Sequence, residues 1–584
     1  MSILILCLQP YATSEEKENT ISWTKFELCK NNDLKFVDSG CGGELGQQQQ
    51  QHTSSPPLLL TIGYHSGIQM WAIPMSGEAQ EIFSWRRLEV RYFQLLPTPE
   101  DVERDQFRTL RPIVAITEGS NFPSSPNHLT FISLRNGESL KSTKFVHPIC
   151  DVLANSIAVV VSFLDKILVL DPYKFETRVT IASSGSRAVH PGINPIALGT
   201  NWLAYTDQKL VSMYQSLGGV ETAGAPSYTA TMLYAAKSLT KGLKGLGETV
   251  ASSITGHRVS SNNETTTPPA SEPGIVTIVN LSELKSGEFS LSEGNVGTGS
   301  SQSAVLAHFV AHMHHPVLTM NFDPSGMLLV TADKEGHDFH VFRIHPHPLG
   351  SSMGAVHHLY VLHRGDTGAK VQNISFAPDS RWVAVSTLRG TTHIFPLTPY
   401  GGAISVRTHT SHRVVNRLSR FHRTAGLDDT PTSGRNSPVL TFNPNGTSNA
   451  LPGGKSFDLL HLGSPYPNPR LPSFPHPVVV HPLAQLRQSF INVTSSPKGS
   501  PPIGKSKAFL PLDDRTQVVS LFEAPRGWLA NSPAIVPSCD KRKKSPIEAL
   551  FVMTCHGNLV EYNLDPKPSS GMFIVFNFHY SISV

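Results

Sequence analysis

The chain has 584 residues, 39% of them hydrophobic and 16% charged, with a formal net charge of +4. So mild a positive balance argues against a protein built around nucleic acid, whose basic excess is larger and more clustered. With 44 glycines and 45 prolines, the composition suits many short strands, many turns and long unstructured insertions.

The start, "MSILILCLQP", has a short apolar run with no basic residue ahead of it and reads as a strand rather than a signal peptide. Residues 1–57 are expected to be a partly disordered N-terminal segment around the first strands, with "GQQQQQH" (Gly46 to His52) as a loop tract. The six cysteines, Cys7, Cys29, Cys41, Cys150, Cys539 and Cys555, are scattered and never spaced C-x-x-C. Free thiols in a reducing compartment are expected, not a disulfide framework or a zinc knuckle. No stretch is apolar enough for a membrane span, so the expectation is a soluble intracellular protein.

From Leu58 onward short strands recur. "LLLTIGYHSGIQMWAI" (Leu58 to Ile73), "ICDVLANSIAVVVSFLDKILVLD" (Ile149 to Asp171) and "NPIALGTNWLAYTDQKLVSMY" (Asn194 to Tyr214) each read strand, turn, strand. The repeat is clearest in "HPVLTMNFDPSGMLLVTADKEGHDFHVFRI" (His315 to Ile344) against "AKVQNISFAPDSRWVAVSTLRGTTHIFPL" (Ala369 to Leu397). Phe322 falls on Phe376, Pro324 on Pro378, Gly336 on Gly390, and His340-Val341-Phe342 on His393-Ile394-Phe395. "ALFVMTCHGNLVEYNL" (Ala549 to Leu564) closes the series. A three- or four-stranded unit cannot bury both faces alone, and radial stacking does so. The expected fold is all-β, a seven-bladed WD40-type β-propeller with long disordered insertions. Residues 58–397 form its main part, 511–565 its last blade and 566–584 a tail.

Two insertions interrupt this ring. The first, near 215–273, has Leu, Met and Ala at helical spacing followed by a polar tail. The second, 398–510, starts with the basic stretch "SVRTHTSHRVVNRLSRFHRTAGL" and continues as a Ser/Pro/Gly-rich segment expected to stay disordered. The basic stretch carries Arg407, Arg413, Arg417, Arg420 and Arg423 without an acidic residue, and Val414, Val415, Leu418 and Phe421 recur at helical spacing. It suits an anionic membrane surface or an acidic protein filament, and an inert solvated linker is the alternative.

Arg364 stands at a loop-to-strand boundary. With Ser386, Thr387, Thr391 and His393 on the same blade it would offer several donors to a phosphate. A solvated turn arginine is the plain alternative. Gly336, His337 and His340 hold the corresponding places one repeat earlier. "HMHH" (His312 to His315) and "HPHP" (His345 to Pro348) lack metal-ligand spacing and a Cys or acidic partner, so no metal or other cofactor is expected. "GLKGLGET" lacks the Lys-Ser/Thr of a phosphate-binding P-loop, and no Gly-x-Ser-x-Gly elbow is present, which argues against an enzyme. "KRKK" (Lys541 to Lys544) reads as a nuclear address or a basic loop.

"LHRG" followed by "VQNISFAPDSRWVAVSTLRGTTHIFPL" resembles the phosphoinositide-binding propellers (PROPPINs), in which two adjacent arginines point to opposite sides and serve two headgroup sites. His363 stands here for the first arginine, which would make that site weaker or dependent on protonation. "IGYHSGIQMWAIPMSGEAQEIFS", "NPIALGTNWLAY", "SGMLLVTADKEGHDFHVF", "AVHHLYVLHRG", "VSTLRGTTHIFPLTPYGG" and "CHGNLVEYNL", in that order, resemble the breast carcinoma amplified sequence 3 family, also called Rudhira or microtubule-associated cell migration factor. That family continues into a further C-terminal region. The resemblance implies phosphoinositide binding through Arg364, Thr387, Thr391 and His393 at one site, and through His363, Gly336, His337 and His340 at the other. It also implies an autophagy-related protein partner at phagophore membranes, a response to starvation, and links to microtubules or intermediate filaments in cell migration and angiogenesis. The expected location is the cytoplasm, with nuclear coactivation also ascribed to the family.

Overall fold

The computed structural model describes residues 20–27, 57–74, 79–118, 127–183, 193–220, 272–291, 303–409, 476–487, 518–523, 548–564 and, as backbone, 577–583. These residues form seven antiparallel sheets, the blades of a propeller. Each blade has four strands running from the central axis outward. Blade 1 is Ile21–Glu27, Leu58–Tyr64, Gly67–Ile73 and Gln80–Trp85, and blade 2 is Val90–Leu96, Ile113–Glu118, His128–Ser133 and Ser139–Lys144. Blade 3 is Asp151–Ala154, Val159–Ser162, Lys166–Leu170 and Thr177–Ala182, and blade 4 is Ile196–Leu198, Trp202–Asp207, Gly274–Asn280 and Val305–His312. Blade 5 is Val317–Phe322, Leu328–Asp333, Asp338–His345 and Ala355–His363. Blade 6 is Val371–Phe376, Trp382–Thr387, Thr391–Pro396 and Ala484–Arg487, and blade 7 is Val518–Glu523, Glu548–Thr554, Asn558–Leu564 and Asn577–Ser583.

The strand residues explain the stacking. Second strands such as "WVAVST" (Trp382–Thr387) are apolar and β-branched on both faces and buried at every position. Outer strands such as "SLKSTK" (Ser139–Lys144) are polar and half exposed. Seven apolar clusters fill the seven seams. Ring closure is one of these: Phe26, Leu58 and Leu60 of blade 1 pack on Val519, Phe551 and Met553 of blade 7. Closure therefore rests on side-chain packing between a first and a last blade, each complete in itself.

Successive blades are also tied by polar bonds. In the turn of blade 5, Asp323 accepts the Leu328 amide at 2.8 Å and the Ser325 hydroxyl at 2.6 Å. Blade 6 has Ala377 at the matching place. Its Ser380, left-handed at φ 58, donates instead to Asp323 at 2.6 Å across the seam. One carboxylate thus organises both turns.

The chain's insertions return to the blade edges. Gly287–Phe289 runs parallel to the outer strand of blade 3, and Leu217–Gly218 and Val478–Val480 both run parallel to the outer strand of blade 5. Two expectations are thereby revised: 398–510 contains the outer strand of blade 6, and the expected tail contains the outer strand of blade 7. The N-terminal segment holds the inner strand of blade 1. These strands are short or interrupted by long insertions, so no local repeat marks them. The expected helical stretch of the first insertion and the "KRKK" run lie outside the described residues. No helix among the described residues is long and apolar enough to cross a membrane.

Candidate functional site

Strand parity decides which seam each candidate enters. On blade 6, Val383, Val385 and Phe395 pack against Val330, Phe339 and Tyr360 of blade 5, while Trp382, Ala384 and Ile394 face blade 7. His393 pairs with Val385 in register and shares its face. Thr387 and Thr391 stand two residues along from Val385 and His393 on the same side. Thr387, Thr391 and His393 therefore line the seam between blades 5 and 6.

Arg364 reaches the same seam from blade 5. Its backbone amide donates to the His337 carbonyl at 2.8 Å, which pins the start of the connection between blades. Its Nε donates to the Gly336 carbonyl at 2.6 Å and a terminal nitrogen donates to the Thr367 carbonyl. Gly336 has φ +60, and a Cβ there would meet the Ala369 carbonyl at 2.1 Å, so the turn that cradles the guanidinium requires glycine. No carboxylate pairs with Arg364 among the described residues. Partial burial, and then Arg389 nearby, pull its pKa below the ordinary arginine value.

His393 is 5% exposed and its Nδ1 has no hydrogen-bond partner. Burial, then the charges of Arg364 and, more weakly, of Arg487, push its pKa down to about 4. At neutral pH it is an uncharged donor and acceptor beside cations. Thr387 is buried and gives its hydroxyl to the Thr391 carbonyl at 3.2 Å, while Thr391 is half-buried at the mouth.

The second set of candidates does not share this seam. His363 donates from Nδ1 to the Asp338 carboxylate at 2.8 Å, lies 4.0 Å from Asp366 and abuts the ring of His481. A histidine already engaged by a carboxylate has one ring nitrogen left for a ligand. His340 turns into the seam between blades 4 and 5. There it lies between His312 and His358, with ring centroids 4.4 and 4.7 Å away. Burial, and then His312, hold its pKa well below the usual histidine value. His312 bonds Thr331 at 2.9 Å and His358 stacks on Phe342. His340, half-buried, therefore belongs to a stack of imidazoles in that seam rather than to the seam of Arg364. His337 stays on the rim, near the Glu335 carboxylate across Gly368.

Arg413, Arg417, Arg420 and Arg423 lie outside the described residues, as does the side chain of Arg407. Thr408 and His409, next to it, are buried, and His409 stands edge-on to Trp382 at 4.8 Å. The seam also contains two cations that sequence reasoning passed over, Arg389 and Arg487. Arg389 sits in the Leu388–Gly390 turn, within the motif already singled out. Arg487 comes from a segment with no repeat signature. No group of described residues is arranged to hold a metal ion.

Comparison with known proteins places this geometry in context. A family model described as "BCAS3, WD40 repeat" matches residues 6–427. The Breast carcinoma-amplified sequence 3 homolog of Drosophila melanogaster is 38% identical over 95% of this chain and 56% of its own length. Autophagy-related protein 18g of Arabidopsis thaliana is 25% identical over 67% of this chain and 44% of its own. The chain thus spans about half the length of these curated relatives. Among solved structures, Kluyveromyces lactis Hsv2 with its complete loop 6CD aligns at TM-score 0.42 and 9% identity, covering 90% of this chain and 94% of that one. The complex of KlAtg21 with the coiled-coil of AgAtg16 aligns at TM-score 0.37 and 13% identity, over 59% of this chain and 80% of that one. With a seven-bladed ring, a family model spanning most of the chain and a relative matching nearly all of it, the chain belongs to the BCAS3 WD40-repeat family.

Proposed function

We propose that the chain is a non-enzymatic scaffold that docks on membranes by holding a phosphoinositide headgroup in the seam between blades 5 and 6. The observation that carries this reading is Arg364, held over the seam by two carbonyl oxygens, with Thr391 and the partnerless Nδ1 of His393 below it. A guanidinium positioned by carbonyls keeps its full charge for an anion, whereas one paired with a carboxylate would be neutralised. The sequence kinship with autophagy-related protein 18 relatives supports a role at phagophore membranes during starvation, with an autophagy protein as partner. Family membership supports a further link to microtubules or intermediate filaments in cell migration, with the basic stretch from Ser405 to Leu427 as the contact.

Flotation of the full chain with vesicles containing phosphatidylinositol 3-phosphate tests the seam. Arg364→Ala is expected to weaken binding by about tenfold or more, with melting lowered only slightly by the loss of its carbonyl bonds. Equal flotation of variant and parent would remove the mechanism. Microtubule pelleting after deletion of 405–427 tests the second contact: loss of pelleting with lipid binding intact is the expected outcome.

A further inference from the structure

The strand that completes blade 6 arrives from far along the chain. Val478–Val480 first runs along Tyr360–Leu362 at the outer edge of blade 5, and Ala484–Arg487 then pairs with Thr391–Ile394. Residues 476–487 are thus a strap across the outer end of the seam. In register, Gln485 lies opposite His393 and Arg487 opposite Thr391, so Arg487 stands on the face turned toward blade 5. His481, between the two strands, sets its ring edge-on against His363 at 5.4 Å.

Arg389 enters from the neighbouring turn. Both Arg389 and Arg487 are exposed, and neither side chain has a hydrogen bond or ion pair among the described residues. Of the carboxylates at this mouth, Asp338 and Asp366 face His363, and Glu335 lies beside His337 across Gly368. Arg364 and Arg487 thus act on a buried imidazole whose Nδ1 is unpartnered, and Arg389 acts on Arg364. Like charges repel and a buried nitrogen without a partner is costly, so the empty arrangement is less stable than one holding an anion. A phosphate would relieve both at once.

We infer that Arg389 and Arg487 are phosphate-binding residues of this seam, with Arg487 delivered by the 476–487 strap, so that the headgroup is gripped from blade 5, from the blade 6 turn and from the strap. The inference deepens the proposed function and rests on it. The same chemistry would suit a soluble phosphate, and the experiment separates the two.

The test is equilibrium flotation of the full chain on phosphatidylcholine vesicles carrying phosphatidylinositol 3-phosphate, at several salt concentrations. Arg389→Ala and Arg487→Ala are each expected to weaken binding by roughly tenfold and to flatten its salt dependence. Arg487→Lys keeps the charge and should recover part of the loss. Val479→Ala, on an exposed position of the same strap, should change nothing. A merely structural role for Arg487 would shift melting and leave the salt slope alone, which would overturn the inference. Binding lost in Arg364→Ala but intact in both Arg389→Ala and Arg487→Ala overturns the inference and leaves the proposed function standing. Failure of the parent chain to float overturns both. Displacement from vesicles by inorganic phosphate as effective as by soluble inositol 1,3-bisphosphate would make this a free-phosphate site and overturn the lipid assignment.

Discussion

The two seams flanking blade 5 are built from one repeat and have opposite characters. His340 and His393 occupy matching places in successive blades. His340, half-buried, meets the imidazoles of His312 and His358 and the ring of Phe342. His393, the more deeply buried of the two, meets the charges of Arg364 and Arg487. The preceding blade makes the difference. Where blade 5 ends in His363-Arg364, blade 4 ends in His312-Met313. A repeat therefore determines where a side chain points, and its neighbour across the seam determines what it can do there.

The contrast breaks most decisively at Phe342, fully buried between blades 4 and 5 with Phe309 edge-on at 5.0 Å. Phe342→Ala is expected to cost about 3–5 kcal/mol, read as a lower urea midpoint, with lipid binding per folded molecule unchanged.

Acid comes next. His312 and His358 are each pushed down to about 3, and His308 and His345 to about 4, chiefly by burial. Below pH 6.5 the unfolded chain takes up protons that the folded one refuses. Their contribution is complete above that pH and is lost as pH falls toward 4 and 3, at up to about 1.4 kcal/mol per histidine per pH unit. His358→Phe should flatten the fall of urea midpoint between pH 6.5 and 4. An unaltered slope would mean that these imidazoles are already charged in the fold.

Arg364→Ala should weaken binding by about tenfold and lower the urea midpoint only slightly, through loss of its bonds to the Gly336 and Thr367 carbonyls. A loss of stability as large as that of Phe342→Ala would make Arg364 a structural residue. The smallest effect is expected at Ser380, whose hydroxyl reaches Asp323 across the seam. Ser380→Ala loses that bond and keeps the positive φ, for about 1 kcal/mol. Ser380→Gly relaxes the backbone and should cost less.

Much of this fold was legible because a propeller is a repeat. Phe322 against Phe376, and the strands "MLLVTA" and "WVAVST", mark blades 5 and 6 without any long-range information. Arg364 was legible too, as a cation at a strand end next to a glycine. The outer strand of blade 6 was not, because "AQLR" carries no strand signal of its own and joins its blade only by pairing with Thr391–Ile394. Arg487 was hidden with it. The repeat position of His340 suggests the same role as His393, and only its contacts with His312 and His358 put it in the other seam.

By itself, the amino-acid order determined that the chain makes short apolar strands with turns between them, enough for a ring, and that one repeat ends in an arginine. Both are local properties of period-two patterning and turn residues. The tertiary structure alone decided which histidine faces a cation and which another imidazole, and which distant segment brings Arg487 to Arg364. Radial closure sets remote strands side by side, and the parity of a strand, invisible until its partner is known, selects the seam that each side chain enters.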